Sequence, residues 1–185
     1  MGKIVVTEFI TLDGVIEDPG GAEGGPKGGW AFRYQAGPDS EQFKFEELKA
    51  SDAQLLGRIT YEGFAKAWPT IDAGEFSEKM NGMPKYVVSS TLTDAAWSNT
   101  TVIGADLAAE VAALKQQYEG DILVAGSAQL VRALFAASLV DELHLIVYPV
   151  VLGGGKKLFG EGDEIPLELR ETRRVGDCIL AVYGR

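Results

Sequence analysis

From Lys3 to Ile10 the chain reads KIVVTEFI, rich in β-branched and aromatic residues, which predicts a first strand with Thr11-Leu12-Asp13-Gly14 as the turn after it. Glu17 to Gly29 is dominated by Gly, Pro and acidic residues with no hydrophobic period, so it predicts an exposed loop, either a surface excursion or a lid over a pocket. Asp39 or Ser40 is the predicted cap of a helix carrying Phe43, Glu46, Glu47 and Leu48, and Ala53 to Gly57 reads as a short buried strand. A second helix starting near Thr60 sets Tyr61, Phe64, Ala65 and Trp68 at helical spacing and stops at Pro69, which cannot donate the next backbone bond. Lys85 to Ser89 (KYVVS) predicts a strand. Asp106 caps a helix with Leu107, Val111, Leu114 and Tyr118 on one face, closed by Gly120.

Asp121 to Ala125 (DILVA) runs straight into Gly126-Ser127 and then a helix carrying Leu130, Val131, Leu134 and Phe135. Glu142 to Leu152 is the longest strand candidate, and Pro149 within it predicts an edge position or a bulge. Leu167 to Val175 and Cys178 to Tyr183 flank Gly176-Asp177, which predicts a closing hairpin. Strands alternating with helices predict an α/β fold: a mixed, mainly parallel sheet flanked by helices on both faces, ending in an antiparallel hairpin. A chain of 185 residues, 46% hydrophobic, supplies one substantial core, so a single domain over residues 1–185 is expected.

Charge narrows the partners. A formal net charge of −10 opposes general attraction to nucleic acid or anionic lipid, leaving small molecules as the expected ligands. No apolar run approaches the roughly 18 residues of a membrane span, and the N-terminus has no basic region or cleavage site, so a cytoplasmic protein is expected. With one cysteine, Cys178, and one histidine, His144, there is no set of ligands for structural zinc and no internal disulfide. Both residues lie in apolar strands, His144 as a hydrogen-bonded structural residue and Cys178 as a small core hydrophobe. Asn99-Thr100-Thr101 matches a glycosylation sequon that, without a secretion signal, is read as accidental.

Two stretches place small or hydroxylated residues where a strand gives way to a helix: Gly57-Arg58-Ile59-Thr60 and Gly126-Ser127-Ala128-Gln129-Leu130. In an open α/β sheet that edge is where ligands bind. Glycine admits a phosphate to the backbone, helix starts offer N–H donors, and Arg58 adds a cation with a fork suited to phosphate. Either stretch alone reads equally as an ordinary turn with a helix cap; together they point to a dinucleotide. Neither is a Walker loop or a GxGxxG fingerprint, nor is Gly153-Gly154-Gly155-Lys156-Lys157. Nucleophile and acid/base systems are poorly represented, which suits hydride transfer, where the cofactor carries the hard chemistry.

Taken in order, TLDGVI (Thr11 to Ile16), LLGRITYEGF (Leu55 to Phe64), KYVVSS (Lys85 to Ser90), ILVAGSAQLVRALF (Ile122 to Phe135) and DELHLIVYPVVLGGGKKLF (Asp141 to Phe159) resemble the family of dihydrofolate reductases and the C-terminal reductase domain of the bifunctional riboflavin-biosynthesis deaminase-reductase, and are closest to stand-alone relatives of the latter. The resemblance implies a dihydrofolate-reductase-like sheet binding NADPH across its strand ends, a reductase of a pterin-like or aminopyrimidine-like heterocycle, and a homodimer. It implies that Gly57, Arg58 and Thr60 meet the cofactor phosphates, Arg58 at the adenosine 2′-phosphate. Ser89 and Ser90 would lie near the adenosine, Gly126, Ser127, Ala128 and Gln129 around the pyrophosphate with Leu130 behind them, and Gly153 and Gly154 beside the nicotinamide. Asp13 and Gly14 would border the substrate cleft; Trp30, Phe32, Tyr61 and Trp68 are candidate walls there, and each reads equally as core filler. Asp13 and Glu41 are the candidates for proton transfer; Glu41 reads equally as a solvated carboxylate at a helix start. Val15 stands where riboflavin-type reductases have Lys, which argues against their phosphorylated sugar substrate. A domain of the same fold that binds a nucleotide or metabolite without turning it over is the alternative reading.

Overall fold

The computed structural model describes residues 1–185. Its strands are β1 (Ile4–Thr11), β2 (Ser51–Gly57), β3 (Lys85–Val88), β4 (Thr100–Ile103), β5 (Asp121–Ala125), β6 (Glu142–Tyr148), β7 (Glu168–Val175) and β8 (Cys178–Gly184). They form one sheet in the order β4-β3-β2-β5-β1-β6-β8-β7. The neighbours from β4 to β6 pair in parallel, whereas β6–β8 and β7–β8 are antiparallel. The helices are α1 (Gly37–Ala50), α2 (Arg58–Ala67), α3 (Glu75–Gly82), α4 (Leu107–Gln117) and α5 (Ala128–Ala136).

Alternation along the strands assigns each helix to a face. Ile4, Val6 and Ile10 of β1 pack with Val111 and Leu114 of α4 and Leu130, Val131, Leu134 and Phe135 of α5. Val5, one residue out of phase, packs on the opposite face with Leu48 of α1, Tyr61 of α2 and Met80 of α3. A third cluster under the C-terminal strands gathers Trp30, Ile146, Tyr148, Val175, Cys178 and Leu180. The helices that follow β2 and β5 therefore leave adjacent strands toward opposite faces, which opens a crevice at the carboxyl ends of those strands.

Several sequence-based boundaries move. α1 starts at Gly37 rather than at a cap on Asp39 or Ser40: Ala36 is the cap residue, Pro38 sits in the first turn with its fixed φ, and Ser40 is buried. β6 ends at Tyr148, before Pro149, and lies between β1 and β8, so neither the edge position nor the bulge predicted from Pro149 occurs. The edges are β4 and β7, the latter exposed at every position but Val175 and carrying Glu168, Arg170, Glu171, Arg173 and Arg174, charges that discourage pairing with another sheet. α4 ends at Gln117 with Tyr118 already extended; Gly120, two residues on, instead donates its N–H to Asp52 at 2.7 Å. α3 and β4 have no counterpart in the sequence reading.

The Glu17–Gly29 segment is wound around Asp18, which is 3% exposed. Its carboxylate accepts from Glu23 N–H at 3.0 Å and Gly25 N–H at 3.2 Å, and its carbonyl accepts from Gly29 N–H at 2.9 Å. Lys27 donates to the Leu152 carbonyl, and Lys156 lies 3.4 Å from Glu17, so the loop is fastened to the 152–156 segment. No helix is long and apolar enough to cross a membrane.

Candidate cofactor and active site

Ser127 joins the two strand-to-helix turns. Its Oγ accepts the Gly57 N–H at 3.0 Å and lies 2.9 Å from Thr60 Oγ1, so the starts of α2 and α5 meet at one side chain. Gly126 and Ser127 both adopt positive φ, 64° and 66°, a turn that aims successive N–H groups to one side. A Cβ on Gly57 would lie 2.3 Å from Ser127 Oγ, and one on Gly126 would lie 2.7 Å from Thr60 Oγ1; the glycines allow the two turns to pack this closely. Neither α2 nor α5 has a side-chain cap or an acidic residue in its first turn, in contrast to α4, capped by Asp106. Two uncapped helix starts facing one crevice form a donor set that matches a pyrophosphate.

The other expected cofactor residues divide. Arg58 is exposed beside the cradle and pairs with Glu62 at 2.9 Å, an exposed pair that leaves the guanidinium able to turn to a phosphate. Ser89 follows β3 and uses its Oγ to accept from Thr91 and Leu92 N–H, while Ser90 beside it is exposed. Ala128 and Gln129 open α5, and Leu130 is 6% exposed, part of the core behind the turn.

Asp13 is a staple between two segments. Its carboxylate accepts from the Thr11 hydroxyl at 2.6 Å, Gly153 N–H at 2.8 Å and Leu152 N–H at 3.2 Å. The Thr11 bond above all, with the two backbone donors, holds its pKa at about 2. An ionised, fully partnered carboxylate anchors the Gly14 turn to Gly153 and does not serve as a proton donor, a correction to the sequence reading. Gly154 follows beside Lys27, and the Leu158 N–H donates to the Gly14 carbonyl at 3.0 Å.

The aromatic candidates and Glu41 lie away from the cradle. Trp30 is wholly buried, donating its indole N–H to the Glu17 carbonyl at 2.8 Å and standing edge-on to Tyr148 at 5.2 Å; it is core, not cavity wall. Tyr61 points to the α2 face, where its hydroxyl accepts the Trp97 N–H at 3.1 Å. It borders an open depression of about 780 Å³ with Lys66, Asp94 and Trp97, separate from the cradle. Trp68 stacks on Phe76 at 5.4 Å, and Phe32 is 82% exposed. Glu41 is exposed in a shallow depression with Phe45, Ala73 and Phe76, between α1 and α3, while Lys44, Glu47 and Leu48 further along α1 are turned toward the sheet.

That inward face builds a buried polar cluster. Lys44 donates to Thr7 and Glu47, and His144 sits between Glu47 (2.7 Å from Nδ1) and Glu142 (3.1 Å from Nε2). Burial pushes the Glu47 carboxyl up, but Lys44 and His144 outweigh it and hold the pKa below the ordinary value. His144 is hydrogen-bonded within a strand, as expected.

Glu8 is a residue the sequence reading passed over. Only 6% of it is exposed, and its Oε1 has no hydrogen-bond partner. β1 pairs with β5 up to Thr7↔Ala125, so Glu8 stands level with Gly126, whose N–H approaches its carboxylate. Burial, offset only in part by Lys44, pushes its pKa up to about 8. The signal was present in the alternation: Glu8 occupies the inward phase of Ile4, Val6 and Ile10, where a charge is anomalous.

A family model described as the RibD C-terminal domain matches residues 2–181. YwjB of Bacillus subtilis (strain 168), an uncharacterized protein, is 29% identical over 184 residues, covering 99% of this chain and 98% of its own. Among solved structures, a putative riboflavin biosynthesis protein from Shewanella sp. PV-4 superposes with a TM-score of 0.77 at 19% identity, covering 100% of this chain and 99% of its own. Dihydrofolate reductase from Enterococcus faecalis, complexed with NADP(H) and RAB-propyl, gives 0.60 at 19% identity, covering 100% of this chain and 96% of its own. The architecture is dihydrofolate-reductase-like.

Proposed function

Because this chain belongs to the RibD C-terminal domain family, we propose that it is an NADPH-dependent reductase of a small heterocyclic metabolite, pterin-like or aminopyrimidine-like. The observation that carries the reading is the Ser127 hydroxyl bridging Gly57 and Thr60, which brings two uncapped helix starts to one crevice. There the main chain of Gly126 to Gln129 binds the pyrophosphate, and Arg58 binds the adenosine 2′-phosphate. Glycine at 57 and 126 lets the two turns close on each other, so that Ser127 and Thr60 hold both helix starts to the one crevice. The bound cofactor supplies a hydride. The protein's own residues orient it: the Asp13 staple fixes the Gly14 and Gly153 turns across the crevice, and the Asp18-centred loop lies over the same side. A homodimer of single-domain chains belongs to the same reading.

Titration of the purified protein with NADPH, followed by fluorescence, tests it. Saturable binding is expected well below millimolar concentration, and none at millimolar, equivalent to less than about 4 kcal/mol, would remove the reading. Arg58→Ala is expected to weaken NADPH by about tenfold while leaving NADH within about twofold, since it removes a bidentate phosphate contact that NADH does not make. Equal losses for both would detach Arg58 from the 2′-phosphate. Oxidation of bound NADPH across dihydropterins and aminopyrimidine derivatives identifies the substrate class, and a cofactor that binds but is never oxidised favours a non-catalytic domain.

A further inference from the structure

The crevice contains one polar group that the proposed cradle does not use. Laid across the strand ends, a dinucleotide with its adenosine near Ser89 and Arg58 spans β3 and β2, and its pyrophosphate rests between β2 and β5 at Ser127. The next strand in the sheet is β1. At a spacing of about 4.8 Å per strand, the part of β1 level with the end of β5 lies one ribose beyond the pyrophosphate, where the nicotinamide must come. Glu8 stands there, level with Gly126, 6% exposed and with Oε1 unpartnered.

We propose that Glu8 is a cofactor-binding residue whose unpartnered carboxyl group donates a hydrogen bond to the carboxamide oxygen of the nicotinamide. This deepens the proposed function and rests on it. A carboxyl can donate only when protonated. Burial raises the pKa to about 8, and the charges acting on it are Lys44 and Glu47, both on α1. Lys44 is engaged by Thr7 and Glu47, and the turn contributes only the Gly126 N–H. At neutral pH Glu8 is thus mostly a neutral acid, with a donor to offer and nothing in the protein to receive it. A buried polar atom without a partner is costly, and a ligand carbonyl relieves that cost.

The test compares NADPH with 2′-phospho-ADP-ribose, which keeps both phosphate sites and lacks the nicotinamide. Calorimetric titrations of the full chain are run between about pH 6.5 and 9.5. NADPH affinity is expected to hold to about pH 8 and then fall, becoming about tenfold weaker near pH 9, while the fragment shows no such decline. Glu8→Leu is expected to weaken NADPH by about tenfold near pH 7 and leave the fragment unchanged. Glu8→Gln, which keeps an N–H donor, restores NADPH binding to within about twofold and abolishes the alkaline decline. An NADPH profile matching that of the fragment overturns the proposal while leaving the cofactor reading intact, as does a Glu8→Leu variant that loses both ligands equally. If neither ligand binds the unaltered protein, the cofactor reading falls and takes the proposal with it. Should Glu8→Leu fail to fold, Glu8→Gln and the pH profile decide alone.

Discussion

Replacing Gly57 with alanine is expected to weaken NADPH binding by at least about a hundredfold, or about 3 kcal/mol, with little damage to the fold. Gly57 has φ −80° and ψ 159°, angles open to alanine, so backbone strain is not the cause. The cause is contact: the new methyl would lie 2.3 Å from Ser127 Oγ and 2.9 Å from its Cβ. Rotating the hydroxyl away cannot relieve the second distance, so the Gly126–Ser127 turn must move and its N–H groups lose their common aim. The folded state loses about one hydrogen bond, on the order of 1 kcal/mol. Two measurements separate these effects: a cofactor titration and a urea unfolding curve. Adding Ser127→Gly to the Gly57→Ala chain removes the obstructing side chain and is expected to recover part of the affinity, a non-additivity that only direct contact explains. Wild-type affinity in Gly57→Ala would mean that the phosphates bind elsewhere.

Glu8→Gln is expected to stabilise the ligand-free protein by about 3 kcal/mol near pH 7 and by almost nothing near pH 4. Unfolded, Glu8 releases its proton at the ordinary value of 4.5, whereas burial in the folded state holds it until about pH 8. Between those values the folded chain binds the extra proton. The wild-type protein therefore loses stability as pH rises through this window and levels off above it. Glutamine has no proton to lose, and its unfolding free energy lacks that slope. Parallel stability profiles for the two proteins between about pH 4 and 9 would show that Glu8 is not held neutral. Such a residue, costly to the empty protein, is the pattern expected where a binding site is built at the expense of stability.

Elements whose local signals agreed were legible in the sequence. β5, the Gly126-Ser127 turn and α5 combine an apolar run, a turn and a helical face within 16 residues, Asp121 to Ala136, and the structure keeps that order. The β7–β8 hairpin follows from two strand-like runs separated by Gly176-Asp177. α3 and β4 were missed because 8 and 4 residues, polar and half-exposed, carry too little period to register. The cradle was visible because glycine and hydroxyl residues at strand ends have few other uses; that Ser127 links the two turns was not, since it depends on β5 entering the sheet between β2 and β1. Trp30 and Tyr61 show a different limit. Aromatic residues mark burial but not which neighbours they join, and these two lie in separate clusters. Glu41 lies about two turns before Leu48, on the part of α1 that borders α3, where Ala73 and Phe76 are its neighbours, while Lys44 and Glu47 further along the helix reach the strands.

Two lysines fasten the Asp18-centred loop to the 152–156 segment, and they differ in kind. The Lys156–Glu17 pair is exposed, so dissolved ions shield it; the Lys27 contact ends on the Leu152 carbonyl and is less sensitive to shielding. The escape rate of a captured molecule should accordingly climb modestly with sodium chloride and then flatten, with Lys27→Met speeding escape even where the salt effect is spent. Stopped-flow displacement of NADPH measures both, and an escape rate indifferent to salt and to Lys27→Met would mean that this segment has no hold on the bound cofactor.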